Sequence, residues 1–182
     1  MTRELVERAM GGDREAFTAL ASRSLPRLVG TAGLILGGRD AAEDAVQESL
    51  VRAWRDLPSL RDPERFDAWL YRVLMRACHD EARRARRLTR ADAVVEPLGI
   101  MSDHAAAMAE RDVIDAGLRR LSLEQRTVLV LRYYLDLSNE DIAVALGLPR
   151  GTVKSRVNRA LGAMRAELAA VGRAAPSQGR SA

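Results

Sequence analysis

Four side chains that donate hydrogen bonds lie close together near the carboxyl end of the chain: Lys154, Ser155, Asn158 and Arg159. At 3.6 residues per turn, these four side chains lie on or beside the outward face of a predicted helix. Side chains of these types bind base edges and phosphates in the major groove of DNA. The spacing therefore predicts a helix that recognises double-stranded DNA.

The stretch from Ser138 to Arg159 has the pattern of a helix-turn-helix that would position these donors. Ser138 can cap the first helix, and Gly147 can end it because glycine accepts left-handed backbone. Small Ala143 lets the two helices cross closely, and Val153 holds the second helix against the first. A helical hairpin inside an all-α domain is the alternative, but the basic outer face favours DNA binding.

A second set of basic side chains follows a helix predicted from about residue 64 or 66 to residue 87. The residues predicted to face inward on this helix are Phe66, Leu70, Val73, Leu74 and Ala77. Their intervals of three and four residues give a continuous stripe about 27 Å long at 1.5 Å per residue. Such a stripe can follow a phosphate backbone, although a solvated basic face is the alternative. The stripe consists of Arg72, Arg76, His79, Arg83, Arg86 and Arg90.

The segment from Asp40 to Leu57 is predicted to be an amphipathic helix that Asp40 caps. Asp44, Gln47 and Glu48 share the side opposite its apolar residues. On a basic protein, this acidic and hydrogen-bonding patch indicates a basic protein partner. Ordinary solvated helix surface explains the patch equally well.

Helical periodicity throughout the chain predicts an all-α fold of two small helical domains joined by a flexible linker. The predicted boundaries are residues 1–90 for the first domain and 110–171 for the helix-turn-helix domain. The linker at 91–109 and a disordered tail at 172–182 are predicted from composition. Within the first domain we expect Pro26 to open a new helix.

Composition indicates a nucleic-acid partner. The chain has 182 residues, of which 47% are hydrophobic and 30% charged, as in a folded globular protein. Lys and Arg number 29 against 25 Asp and Glu, a net charge of +4, and Lys154 is the single lysine. Arginine is the residue that binds phosphate and guanine through two parallel hydrogen bonds.

We expect no catalytic, metal or cofactor site, and hence no enzyme. The sequence has no glycine-rich phosphate loop, HExxH, CxxC or Ser-His-Asp arrangement, and His79 and His104 have no partners at ligand spacing. Cys78 and His79 are adjacent and would point about 100° apart on a helix. A single cysteine and no apolar run of about 20 residues favour a cytoplasmic chain without membrane insertion.

Several runs resemble the extracytoplasmic-function (ECF) sigma factors of bacterial RNA polymerase. AEDAVQESLVRAW (42–54), FDAWLYRV (66–73) and DEARR (80–84) resemble their second conserved region, with a weaker match at DREAF (13–17). LSLEQRTVLVLRYYLDLSNEDIAVALGLPRGTVKSRVNRAL (121–161) resembles their fourth region. The order of the runs, their spacing and the missing third region all fit, and the resemblance covers most of residues 3–168.

The resemblance implies a promoter-specificity subunit, with a role for each surface. Asp44, Gln47 and Glu48 fall where the family binds the clamp helices of the largest polymerase subunit; the polymerase flap is a further expected contact. The minus-thirty-five element would face Arg150, Gly151, Thr152, Lys154, Ser155, Arg156, Asn158 and Arg159. Backbone amides of Gly151 and Thr152 would hold a phosphate there.

The minus-ten element would meet the loop from Arg61 to Phe66, where the family captures a flipped-out base, and the helix that follows. The residues implied are Arg61, Asp62, Arg65, Phe66, Arg72, Arg76, His79, Arg83 and Arg86. Arg76 departs from the family, which usually has asparagine there, so an altered minus-ten preference is expected. At the position of Asn158, some members of the family have a bulkier side chain.

The resemblance implies a protein that is monomeric when free and that an anti-sigma factor holds inactive. Two alternatives remain at this point. A stand-alone helix-turn-helix regulator would bind a palindromic operator as a dimer. A pure interaction protein would carry the basic stripe incidentally.

Overall fold

The structure is a computed structural model that describes the backbone of residues 2–89 and 105–174 and the side chains of residues 2–87 and 113–170. The described residues form eight α-helices. The helices are α1 (Thr2–Met10), α2 (Arg14–Leu36), α3 (Arg39–Asp56), α4 (Phe66–Thr89), α5 (Ala105–Arg120), α6 (Leu123–Leu129), α7 (Asn139–Leu146) and α8 (Arg150–Ala174). No strand occurs within these ranges, and the predicted all-α fold is confirmed.

Helices α1 to α4 pack around a core of small and aliphatic side chains. Leu20, Leu28, Leu57 and Leu74 are 1% exposed or less, and the ring of Phe17 lies 5.0 Å from that of Trp54. The predicted inward face of α4 is buried, since Phe66, Leu70, Val73, Leu74 and Ala77 are all at most 7% exposed.

Two local predictions for this half are wrong. Pro26 does not open a new helix but lies inside α2. Pro26 and Ser22, one turn earlier, are both exposed, so water can bind the carbonyl that proline leaves without a donor. Asp40 does not cap α3, because the cap position falls on Gly38 and Asp40 lies in the first turn. A carboxylate there still favours the helix through its dipole.

Helices α5 to α8 form the second half, in which capping residues and a glycine bound the helices. Ser122 and Gln125 exchange hydrogen bonds in a complete capping box at the start of α6. Ser138 accepts the Asp141 amide at the start of α7, and Gly147 ends α7 with φ +65°. Between α6 and α7, residues Val130–Tyr134 form a single π-helical turn, which the sequence pattern did not indicate.

The two halves are in contact. Helix α7 lies against α4, and α2 lies against α6 and the π-helical turn. Residues 91–104 of the predicted linker and 175–182 of the predicted tail lie outside the described residues. Residues 105–109 belong to α5 and residues 172–174 to α8.

Candidate nucleic-acid interface

Helix α8 presents one polar, basic face to solvent. Val153 is fully buried and Val157 is 7% exposed, and together they fix the helix against the rest of its half. The side chains on the other side are exposed: Arg150, Lys154, Ser155, Asn158 and Arg159. Lys154, Asn158 and Arg159 can donate hydrogen bonds without a competing carboxylate, so the face can bind base edges or phosphates. The Ser155 hydroxyl donates to the Thr152 carbonyl at 2.9 Å and can still accept a hydrogen bond.

Arg156 and Arg150 have acidic neighbours. The Nη1 atom of Arg156 lies 3.4 Å from an oxygen of Glu124, and this arginine is half-buried beside α6. Arg150 lies 3.8 Å from Glu140 and is exposed. Arg156 therefore faces a neighbouring helix, whereas Arg150 stays at the open start of α8.

The start of α8 is open to solvent. A Cβ atom at Gly151 would meet no atom within 4 Å, so a phosphate could approach the backbone there. Of the two amides expected to hold a phosphate, that of Thr152 donates to the Pro149 carbonyl at 2.9 Å. Of these two positions, the backbone at Gly151 is therefore the more accessible to a phosphate.

Helix α4 carries a second basic surface. Arg76, Arg83 and Arg86 are exposed, whereas Arg72 and His79 are half-buried and Arg90 lies outside the described residues. Arg72 donates from Nε to the Val144 carbonyl of α7 at 2.9 Å. The stripe therefore runs along α4 as predicted, but α7 covers its amino-terminal part.

The loop that precedes α4 is polar and exposed except at its end. Arg61, Asp62 and Arg65 are exposed, and Asp62 accepts the Glu64 amide at 3.0 Å in a short 3₁₀ turn. Phe66 is only 2% exposed, 6.1 Å from the ring of Trp69. Its ring belongs to the core and cannot stack a base in this conformation. The implied role of Phe66 at the minus-ten element is therefore corrected.

The acidic patch on α3 connects to the basic surface on α4. Asp44, Gln47 and Glu48 are all exposed, and Glu48 accepts a hydrogen bond from Arg52 at 2.7 Å. Arg52 also donates to Asp80 of α4 at 2.8 Å. Hydrogen bonds from Arg52, and then from Arg83, hold the pKa of Asp80 below its usual range. These pairs fix the two surfaces relative to each other.

Neither Cys78 nor His79 has the surroundings of a reactive group. Burial raises the pKa of the Cys78 thiol to about 12, so it stays protonated and unreactive. Burial also lowers the pKa of His79. Among the described residues no three His, Cys, Asp or Glu side chains are grouped as metal ligands.

Sequence patterns missed Arg126, which the structure places between the two halves. Its guanidinium donates to the Ile35 carbonyl of α2 at 2.8 Å. No motif marks an arginine that binds a distant main-chain carbonyl. In the part of the chain with described structure, no helix combines the length and apolar character needed to cross a bilayer.

Known proteins match both halves. Residues 20–88 match the profile of Sigma-70 region 2, and residues 111–164 match that of Sigma-70, region 4. The RNA polymerase sigma-H factor of Pseudomonas aeruginosa is 33% identical over 170 residues, 86% of this chain and 88% of the relative. The ECF RNA polymerase sigma factor SigM of Mycobacterium tuberculosis is 34% identical over 157 residues, 86% and 79% of the two chains.

Solved structures match as well. The sigma factor RpoE of Bartonella quintana, solved with the anti-sigma factor NepR, superposes with a TM-score of 0.72 and 29% identity over 84% of this chain and 96% of that one. CnrH, solved with the cytosolic domain of CnrY, gives a TM-score of 0.68 and 28% identity over 96% and 98%.

Proposed function

The chain belongs to the sigma-70 family, in its extracytoplasmic-function group, and from that premise we propose which of its residues bind polymerase and which bind promoter DNA. As an RNA polymerase sigma factor it directs promoter-specific transcription initiation. The observation that carries the residue assignment is the pair of basic surfaces, one on α4 in the region-2 half and one on α8 in the region-4 half.

Helix α8 is proposed to lie in the major groove of the minus-thirty-five element. Lys154, Ser155, Asn158 and Arg159 would contact bases and phosphates, with Arg150 and the Gly151 backbone at a phosphate. Arg156 is the weakest member of this set, because its ion pair with Glu124 holds it toward α6. Arginine at 159 can form two parallel hydrogen bonds with guanine, which makes it the main candidate for base preference.

The minus-ten element is proposed to bind α4 and the loop before it. Arg61, Asp62 and Arg65 are the exposed loop groups that could hold an extruded base, and Arg76, Arg83 and Arg86 could bind the phosphates of the unpaired strand. Extruding a base costs a few kcal/mol, which these contacts must offset. The chain would thereby stabilise the open upstream edge of the transcription bubble. Arg76, in place of the family's usual asparagine, adds a charge on this surface.

Helix α3 is proposed to bind the clamp helices of the largest polymerase subunit. Asp44, Gln47 and Glu48 offer two carboxylates and an amide on one exposed face. Such a patch suits a basic helical partner, because opposite charges steer association and fix its register. The region-4 half would contact the polymerase flap.

An anti-sigma factor is a further proposed partner. Two of the structurally similar proteins were solved as complexes, RpoE with the anti-sigma factor NepR and CnrH with the cytosolic domain of CnrY. We place this chain in the bacterial cytoplasm, where polymerase acts. Its role would be one of binding, with catalysis left to the polymerase.

Assembly state separates this proposal from the two alternatives. A sigma factor should be a monomer when free and should elute with sigma-free core polymerase in size-exclusion chromatography with light scattering. A stand-alone regulator should instead elute as a dimer and should not bind the core enzyme. An interaction protein without a role in transcription should show neither core binding nor DNA binding. A free dimer that does not bind core would overturn the proposal.

A further inference from the structure

A cleft of about 750 Å³ lies between α4 and α7 and extends to the start of α8. This volume falls within the range of roughly 300–1,000 Å³ that is typical of small-molecule sites. The amino-terminal half (α1–α4) provides one wall and the carboxyl-terminal half (α5–α8) provides the other. The promoter and polymerase surfaces proposed above use single residues of these walls but not the cleft itself.

The cleft is electropositive. Five arginines and two carboxylates line it, so positive charges exceed negative charges by three. A concave surface with charge of one sign concentrates ligands of the opposite charge, so the cleft favours an anion. The arginines are Arg52, Arg72, Arg76, Arg83 and Arg150, and the carboxylates are Asp80 and Glu140.

Three of these arginines already have protein partners. Arg52 donates to Asp80 at 2.8 Å, and Arg83 donates to the same carboxylate. Arg72 donates from Nε to the Val144 carbonyl at 2.9 Å. The two arginines hold the pKa of Asp80 below its usual range and offset its charge. This carboxylate therefore opposes a bound anion less than an unpaired one would.

The other two arginines have donors to spare, and they come from opposite walls of the cleft. Arg76 of α4 is exposed and pairs with no carboxylate of the described residues. Arg150 of α8 is exposed, and its Nη1 atom lies 3.8 Å from an oxygen of Glu140, beyond hydrogen-bond distance. A guanidinium binds phosphate through two parallel hydrogen bonds. A chain of phosphate groups could therefore bind at both arginines.

The α7 wall is largely apolar. Ala143, Val144, Leu146 and Leu148 line it and are half-buried. Met75, which is 3% exposed, lies on the opposite wall among the arginines. Partly exposed apolar side chains gain free energy by covering the face of a planar ring. A bare phosphate ion would leave this wall in water, whereas a phosphate ester of a heterocyclic compound would cover it.

We propose that this cleft binds a nucleotide, with the phosphate groups between Arg76 and Arg150 and the base against the apolar side chains of α7. The site is additional to the promoter and polymerase surfaces, and its existence does not depend on them. Arg76 also belongs to the proposed minus-ten surface, so a nucleotide and a DNA strand would compete for it. That competition alone rests on the proposed function.

A matched pair of substitutions at Val144 tests the site in the full chain. Val144 lines the cleft and has no proposed role in binding DNA or polymerase. Val144→Glu places a carboxylate where the anion is proposed to bind, and Val144→Gln places an uncharged side chain of nearly the same size there. The Val144 carbonyl that accepts from Arg72 belongs to the main chain, so both variants keep it.

A third variant should act in the opposite direction. Glu140 lines the cleft beside Arg150 and is not among the proposed DNA-binding residues. Glu140→Gln removes one of the two carboxylates and keeps the shape of the side chain. The nucleotide should therefore bind this variant about two- to fivefold more tightly than the wild type.

Fluorescence anisotropy at constant ionic strength measures the binding of ATP that carries an N-methylanthraniloyl group on its ribose. We expect saturable binding to the wild type and to Val144→Gln, and an affinity roughly tenfold lower or less for Val144→Glu because like charges repel. Unlabelled ATP should displace this probe at a lower concentration than inorganic triphosphate does, because the nucleotide alone covers the apolar wall.

Three results would overturn the proposal. They are the absence of saturable binding to the wild type, equal affinities of Val144→Glu and Val144→Gln, and equal displacement by ATP and inorganic triphosphate. Circular dichroism checks that the variants are folded. If Val144→Glu does not fold, Glu140→Gln decides the question, and an affinity equal to that of the wild type would contradict the site.

Failure of this proposal can be separated from failure of the proposed function by titration with sigma-free core polymerase. All three variants keep the α3 patch, so they should bind core as the wild type does. Normal core binding without nucleotide binding would contradict the cleft site alone. Absence of core binding by the wild type would contradict the sigma-factor role and leave the nucleotide result standing.

Discussion

Reversing the two charges of the α3 patch should weaken binding to core polymerase while leaving the fold intact. Asp44 is exposed, and its replacement by arginine costs little. Glu48 accepts a hydrogen bond from Arg52, but Arg52 keeps its second partner, Asp80, at 2.8 Å. An exposed ion pair stabilises the fold by about 0–1 kcal/mol, so Asp44→Arg/Glu48→Arg should lower the melting temperature by no more than about 4 °C.

The expected loss of affinity is much larger than this loss of stability. Close charge pairs across an interface couple by about 1.5 kcal/mol or more. Reversing two of them should therefore cost about 3 kcal/mol, which corresponds to more than a hundredfold in Kd. The association rate should fall as well, because the patch no longer attracts a basic partner.

Fluorescence anisotropy of labelled chain titrated with sigma-free core polymerase measures this Kd. The control is Glu4→Arg/Glu15→Arg, which makes the same charge change at two exposed positions outside α3. The control should bind core nearly as the wild type does. A patch variant that is folded and binds core within about twofold of the control would refute the assignment of α3 as the docking surface.

Three further predictions concern single residues. Arg159→Ala should cost roughly 1–3 kcal/mol in promoter discrimination and relax preference at one upstream base pair. The measurement is selection from randomised duplexes, and an unchanged base preference would show that another face of α8 enters the groove. Gly147→Ala should destabilise the chain by about 1–2 kcal/mol in thermal unfolding because φ is +65° there, whereas Gly162→Ala, with open space around it, should not. Burial lowers the pKa of His79 from 6.5, so the unfolded chain binds its proton more tightly and stability should fall as the pH drops through about 6.5. His79→Gln should remove that part of the pH dependence, and an unchanged slope in denaturant titrations would contradict the buried, neutral histidine.

Much of the fold follows from local sequence rules. Apolar residues three and four positions apart correctly predicted the buried face of α4, because one side of a helix must exclude water. Gly147 marked the end of α7 because other residues are strained at positive φ. Ser138 marked a helix start because its hydroxyl satisfies a free amide. Each of these signals acts within a few residues.

These local rules do not predict long-range contacts, nor the residues whose usual preference is overridden by tertiary packing. Pro26 stays within α2 because its exposed side lets water bind the carbonyl that proline leaves free, and exposure depends on tertiary packing. Phe66 was placed in a DNA-binding loop by resemblance, yet its apolar ring is buried beside Trp69. Arg126 and Arg72 bind main-chain carbonyls, which every residue possesses, so no sequence pattern identifies their partners.

The sigma-factor role is tested most directly by run-off transcription. Purified chain is added to sigma-free core polymerase on promoter templates recovered by genomic mapping of polymerase that carries this subunit. We predict discrete transcripts that require the chain and that diminish strongly with Asp44→Arg/Glu48→Arg but not with Glu4→Arg/Glu15→Arg. A chain that neither binds core polymerase nor supports any specific start would contradict the account.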